Sequence, residues 1–159
     1  MSNDSNSIWL TEALELAKKA AQEDEVPVGA VVIHEGKIIG RGYNRREQLQ
    51  DPLAHAEVLA LQEAAKNLGS WRLNDCTLVV TLEPCPMCLA ACQQSRITQV
   101  IYGTQDPKGG ALSLGYKIHE DPRTHHRFAV NQAQGKEVAL CGEILSSFFK
   151  KKRADQKNR

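Results

Sequence analysis

Hydrophobic positions follow two rhythms along this chain. Leu10, Leu14, Ala17 and Ala21 recur every three or four residues, the spacing of one helical face. They predict a first helix, capped by Ser7 or Thr11 and running to about Gln22. Pro27 ends that approach, and Val28 to Ile33 is short, apolar and β-branched, so it reads as a strand. His34-Glu35-Gly36-Lys37 is a turn, and Ile38 begins a returning strand towards Tyr43. Arg45 to Gln50 is a polar loop. Asp51 can cap, and Pro52 can open, a helix from about Leu53 to Lys66, with Ala56, Leu59, Ala60, Leu61 and Ala64 turned inward. Thr77 to Leu82 is too uniformly apolar for an exposed edge and predicts a strand covered on both faces.

Pro86 opens another helix, Met87 to about Gln94, and Gln99 to Gly103 is a further strand. Asp106-Pro107-Lys108-Gly109-Gly110 is a turn. The stretch 112–134 carries no clear period beyond a short helix near Leu114. Lys136 to Leu140 reads as the last strand. Cys141 to about Lys152 reads as the closing helix, with Ile144, Leu145, Phe148 and Phe149 on its apolar side. The order is α-β-β-α-β-α-β-β-α. Helices that cross between strands imply a layered α/β sheet with helices on both faces. No repeat or second domain is evident. The expectation is one domain over 1–159, with an ordered core at about 7–153 and a basic helix end and tail at 150–159.

Composition narrows the class. The chain has 159 residues, 42% hydrophobic and 25% charged, with net charge +1. That is an ordinary globular balance, large enough for a sizeable core. No apolar run approaches a membrane span, and Met1 to Ser5 lacks the basic and apolar segments of a secretory signal. A cytoplasmic protein is expected. The charge is unevenly placed: Lys150, Lys151, Lys152, Arg153, Lys157 and Arg159 crowd the C-terminus, which suits a polyanion and equally suits a helix C-terminus in solvent.

The candidate chemistry sits in two short stretches. Glu83-Pro84-Cys85-Pro86-Met87-Cys88 holds two cysteines at metal-clamp spacing, and His55-Ala56-Glu57 lies upstream. Two thiolates and an imidazole make a soft set suited to zinc. Three protein ligands leave a fourth position for water, whose pKa zinc lowers towards ~7; a structural zinc is closed by four. Cys85 and Cys88 begin a helix, where free backbone N–H groups favour thiolates. Glu57 is two residues past His55 and does not share its helical face, so it is a better proton acceptor than ligand. Cys-x-x-Cys alone also fits redox or structural zinc use, but a redox pair does not account for His55 and Glu57. Five cysteines cannot pair fully inside one chain; Cys92, one turn past Cys88, is either a further metal ligand or, like Cys76 and Cys141, a small buried thiol, and the second reading is favoured. His34, His119, His125 and His126 read as surface or loop histidines, and Trp9 and Trp71 as packing anchors. His-x-Glu followed by Pro-Cys-x-x-Cys is the known signature of zinc nucleobase deaminases.

The chain resembles the bacterial tRNA-specific adenosine deaminases, within the cytidine-deaminase-like fold. The likeness rests on Glu25-Val26-Pro27-Val28-Gly29-Ala30, Gly42-Tyr43-Asn44, Ala54-His55-Ala56-Glu57, Trp71-Arg72-Leu73 and Thr81 to Cys88. Ser95-Arg96-Ile97, Tyr102-Gly103, Asp106 to Gly110 and Ser147-Phe148-Phe149 extend it over about Trp9 to Arg153. Two positions depart from the pattern: Ala90 stands where the family usually has glycine, and His125-His126-Arg127 where it commonly has Asn-His-Arg. The resemblance implies a three-layer α-β-α fold around a mixed five-stranded sheet. It also implies a homodimer with one zinc ion per subunit, acting on the wobble adenosine of a tRNA anticodon stem-loop, most typically the arginine tRNA with an ACG anticodon. Carried onto this chain, His55, Cys85 and Cys88 would hold zinc and Glu57 would shuttle protons. Asn44 would bond the flipped base, and Val28, Gly29 and Ala30 would line the pocket floor. Candidate RNA contacts are Arg45, Arg46, Lys108, Arg123, His125, His126, Arg127, Phe149, Lys150, Lys151, Lys152 and Arg153. A deaminase of free guanine, cytosine or a nucleoside would use the same zinc chemistry. A non-catalytic RNA-binding protein would close its zinc with a fourth ligand.

Overall fold

A computed structural model describes residues 3–158; Met1, Ser2 and the tail residue Arg159 lie outside them. Its elements are α1 (Asn3–Gln22), β1 (Gly29–His34), β2 (Lys37–Tyr43), α2 (Arg46–Leu49), α3 (Ala56–Leu68), β3 (Cys76–Leu82), α4 (Pro86–Gln94), β4 (Gln99–Thr104), β5 (Ala129–Gln132) and α5 (Lys136–Lys157). The strands form one mixed sheet in the order β2-β1-β3-β4-β5. β1 runs antiparallel to β2 and β3, while β3, β4 and β5 are parallel.

Period-two alternation divides the core between the two faces. Ala30, Val32, Leu78, Val80, Val100 and Tyr102 pack with residues of α3 and α4. Val31, Ile33, Val79 and Ile101 pack with Leu10 and Leu14 of α1 and Cys141 of α5. Both faces of β1, β3 and β4 are therefore covered, which is why these strands read as unbroken apolar runs. Glycine lets the helices come close. A Cβ on Gly29 would run into the Ala13 carbonyl and lie 2.7 Å from Ala17 N, and one on Gly42 would meet the Ala56 carbonyl of α3.

Four expectations are corrected. The fifth strand is Ala129–Gln132, not Lys136 to Leu140. Lys136 to Leu140 forms the first turns of α5, which begins after Gly135 and directs Val138 and Cys141 inward. The polar loop 45–50 contains the short helix α2. The helix carrying the His motif starts at Ala56 rather than Leu53, because Asp51 Oδ1 accepts Leu53 N (2.9 Å) and His55 N donates to Leu53 O (2.8 Å), spending residues 51–54 on a turn. Trp71 is exposed, with the Arg72 and Arg96 guanidiniums 4.3 and 5.7 Å from its ring centroid, so it is not a core anchor. Trp9 packs against the α1–α5 side of the core. No helix among the described residues is long and apolar enough to cross a membrane.

Candidate metal centre and base-sized cleft

Two helix starts and one strand end meet at a single point. His55 is the residue before α3 and Cys85 the residue before α4; both have extended backbone (ψ 151° and 168°), and neither caps its own helix through its side chain. Their carbonyls accept the first helical bonds, from Leu59 N (3.1 Å) and Leu89 N (2.9 Å). A residue in this position normally uses its side chain to satisfy free amides. Here both side chains are released to face each other. Pro86, with its φ pre-set for a first helical position, fixes the start of α4.

His55 Nδ1 lies 3.6 Å from Cys85 Sγ and 3.4 Å from Cys88 Sγ. The three donor atoms all lie within 4.8 Å of one another, and among the described residues no fourth His, Cys, Asp or Glu joins the cluster. Cys92, one turn past Cys88, is buried in the core and outside it, as are Cys76 and Cys141. One nitrogen and two sulfurs converging on one point fit a thiophilic divalent cation with a position left over.

The electrostatics agree with that fit. The Cys85 thiol is lowered to about 4, first because Cys88 donates a hydrogen bond to it, with His55 adding another. Cys88 is correspondingly raised, and His55 is raised by its bond to Cys85. The trio therefore holds protons that a bound cation would release. Glu57, in the first turn of α3, is 4% exposed, and burial pushes its carboxyl up to about 7. Burial likewise raises Cys76 to about 11 and Cys141 to about 12, as inert core thiols.

His55 and Cys85 of this cluster open onto a cleft of about 150 Å³ that is also bordered by Val28, Asn44, Arg46, Glu57 and Glu83. A cavity of roughly that volume accepts one small flat ring. Asn44 is buried; its amide nitrogen donates to Val26 O (3.3 Å) and its oxygen accepts Arg46 N (3.4 Å), which holds it rigidly in the wall. Val28 borders the cleft, but Gly29 and Ala30 do not. Gly29 faces α1, and its amide donates to Thr81 Oγ1 (3.2 Å). Ala30 is sealed in the core against α3.

Two buried acids, one in an adjoining groove and one at the cleft, were not expected from the sequence. Glu25 is 1% exposed and accepts Glu47 N (3.1 Å) and Gln48 N (2.8 Å), so it ties down α2 beside Arg46. Glu83 is 2% exposed and holds the loop that begins at Asp106. A lone acid at the end of a buried strand was the available signal for Glu83, since a buried charge demands partners.

The cationic candidates divide by environment. Arg45 lies 5.5 Å from the Tyr43 ring centroid and bonds Gln48, while Arg46 reaches the cleft itself. Lys108 is exposed on the turn that Asp106 braces through Lys108 N and Gly109 N. Arg123 is paired with Asp121 (2.7 Å), and Arg127 donates to Pro122 and Thr124 carbonyls. His125 is exposed. His126 is engaged in packing: its Nε2 bonds Ile97 O (2.6 Å) and its ring stacks on Phe128. Phe149 is exposed and edge-on to Phe148. Lys152 is paired with Asp24 (2.8 Å), whereas Lys150, Lys151 and Arg153 extend into solvent on α5. Phe148, Phe149 and Lys152 line a wider groove that adjoins the cleft at Asn44 and Arg46.

Comparisons with known proteins agree with this geometry. The MafB19-like deaminase family model matches residues 4–153. The tRNA-specific adenosine deaminase of Bacillus subtilis is 45% identical over 157 residues, 96% of each chain. A solved structure from studies of A-to-I editing by tRNA:A34 deaminases at the wobble position superposes with a TM-score of 0.81 at 42% identity, covering 87% of this chain and 99% of that one. The guanine deaminase of Bacillus subtilis is more distant, at 30% identity and a TM-score of 0.61, over 89% of this chain and 93% of that one.

Proposed function

We propose a reaction for this cleft from one premise: the chain belongs to the bacterial tRNA-specific adenosine deaminases, within the MafB19-like deaminase family. It hydrolyses the wobble adenosine of a tRNA anticodon loop to inosine and releases ammonia. The arginine tRNA with an ACG anticodon is the substrate we favour. The observation that carries the reading is the three-donor cluster beside a buried carboxylate at the base of a cleft the size of one ring.

His55, Cys85 and Cys88 would hold zinc, one ion per subunit, and the chemistry supplied by the bound ion would be a water of lowered pKa available as nucleophile. Glu57 would take one proton of the attacking water and pass it to N1 of the adenine as the new C–O bond forms at C6. It would then take the second proton, from the new C6 hydroxyl, and hand it to the amino group, so that the C–N bond breaks, ammonia leaves, and the C6 carbonyl and N1–H of inosine remain. A carboxyl held near neutrality by burial suits both directions of this transfer. Asn44, braced by Val26 and Arg46, orients the base at the wall, and Val28 packs on its face. A buried site of this size admits a base only after it leaves its stack, which a single-stranded loop permits cheaply.

Arg45, Arg46, Lys108, Lys150, Lys151 and Arg153 would meet phosphates and set position rather than sequence. Lys152 and Phe149 face the adjoining groove, where flanking nucleotides would lie. The whole chain acts as one deaminase domain, in the cytoplasm, as a homodimer. Exposed Trp71 with Val58, Leu61 and Ala91 offers the apolar face between α3 and α4 for the second copy.

The test is inosine formation by zinc-loaded protein on an unmodified anticodon stem-loop, against free guanine, cytosine and adenosine. Inosine in the stem-loop alone supports the reading. Ammonia from free guanine alone would assign the chain to base salvage chemistry instead. No ammonia from any substrate would favour a binding protein.

A further inference from the structure

Glu83 stands between the last residue of β3 and the two metal-site cysteines, and the reaction above gives it no task. It is 2% exposed, borders the cleft, and has no cation within salt-bridge distance among the described residues. Its partners come from one loop: Oε1 accepts Asp106 N (3.2 Å) and Ser113 Oγ (2.6 Å), and Oε2 accepts Ser113 N (2.9 Å). Backbone bonds run alongside, from Glu83 N to Thr104 O (2.9 Å) and from Ala111 N to Pro84 O (2.8 Å). Gly110 allows this approach, since a Cβ there would collide with the Glu83 carboxylate.

A buried charge is retained only where its bonds are complete. Both oxygens of Glu83 are engaged, and all three donors belong to the loop that places Asp106 at the cleft and Lys108 at the turn tip. Backbone pairing alone already ties this loop to the sheet. What the carboxylate adds is a rigid three-point attachment between the segment that holds the metal and the segment that faces substrate. We infer that Glu83 is a positioning residue: it holds the Asp106–Ser113 rim, and with it Lys108, in register with the metal site so that the RNA backbone is seated when the base reaches the cleft. The inference rests on the RNA-deaminase reading above.

Glutamine cannot replace this carboxylate. Either amide orientation sets an NH2 against at least one backbone N–H. The test uses zinc-loaded full-length protein with Glu83→Gln and, separately, Ser113→Ala, which loosens the same attachment without altering charge. Turnover on the unmodified anticodon stem-loop is measured over a range of salt, with zinc content and thermal midpoint in parallel. In Glu83→Gln, KM should rise about tenfold, the factor that one lost charge-assisted hydrogen bond corresponds to, with a smaller fall in kcat. Zinc content should stay at the parent level. The slope of log kcat/KM against log salt should become shallower by about one, as Lys108 loses its phosphate. Ser113→Ala should move KM and slope in the same direction by less. Parental KM and slope in both variants, with or without a lower thermal midpoint, would make Glu83 purely structural and overturn the inference. If Glu83→Gln does not fold, an unchanged KM and slope in Ser113→Ala overturns it alone. A parent protein inactive on the stem-loop would remove the functional reading and this inference together.

Discussion

Gly29 decides between two roles for the start of β1. The family pattern places it at the substrate pocket, while the structure turns it towards α1. Replacing it with alanine puts a methyl group against the Ala13 carbonyl, with Ala17 N at 2.7 Å and Leu16 Cβ at 2.8 Å. None of these can rotate away, because two are helix backbone and the third is fixed to it. Helix α1 must lift from the sheet, or β1 must bend. Overpacking of this kind costs about 1–3 kcal/mol, and rigid obstacles place it at the upper end. At about 3 kcal/mol, a chain of this length should lose about 6–12 °C in thermal midpoint. Thermal unfolding of Gly29→Ala against the parent measures this. Zinc content and stem-loop KM, taken well below both midpoints, should remain near parental, because the methyl points away from the cleft. A parental midpoint combined with a raised KM would show that Gly29 faces substrate and that the packing argument is wrong.

Three further outcomes are expected. Glu57→Gln should keep its zinc and lose about 10²–10⁴-fold in kcat, the usual share of positioned acid–base catalysis; parental turnover would remove Glu57 from proton transfer. Stripping the metal with a chelator should abolish turnover and lower the thermal midpoint, with zinc restoring both; activity persisting in protein shown metal-free by elemental analysis would refute the ligand assignment. Ser7→Ala should weaken the α1–α5 contact in a pH-dependent way. The Ser7 hydroxyl donates to Glu137 (2.6 Å) and holds its carboxyl below the ordinary range. The folded state then binds fewer protons than the unfolded chain, so this contribution is present above the ordinary carboxylate range and fades as pH falls through the lowered value. Denaturation midpoints of parent and variant should differ at neutral pH and converge in acid; a constant gap would refute the linkage.

What could be read in the sequence follows the kind of partner each residue has. β1, β3 and β4 were legible because both their faces are buried, and Val31, Val79 and Val100 carry that fact in their side chains. β5 was not, because Ala129–Gln132 is a mostly exposed edge strand whose identity lies in backbone pairing to β4. Lys136 to Leu140 misled for the complementary reason. Its short apolar run, Val138-Ala139-Leu140, fits a strand as well as the first turns of α5, and Gly135 rather than a polar cap marks the boundary. At the site, His55, Cys85 and Cys88 announce themselves, since metal chemistry restricts both residue type and spacing. That His55 precedes its helix rather than lying within it depends on the turn at Asp51 and so on backbone bonds. Glu25 and Glu83 are the extreme case. Each is a buried carboxylate held largely by backbone amides of a segment more than twenty residues away. Amide donors are present at nearly every residue and leave no trace in residue type. A sequence therefore advertises the groups that perform the chemistry and conceals those that hold the walls around it, and the walls are where an RNA enzyme and a free-base enzyme with the same metal site must differ.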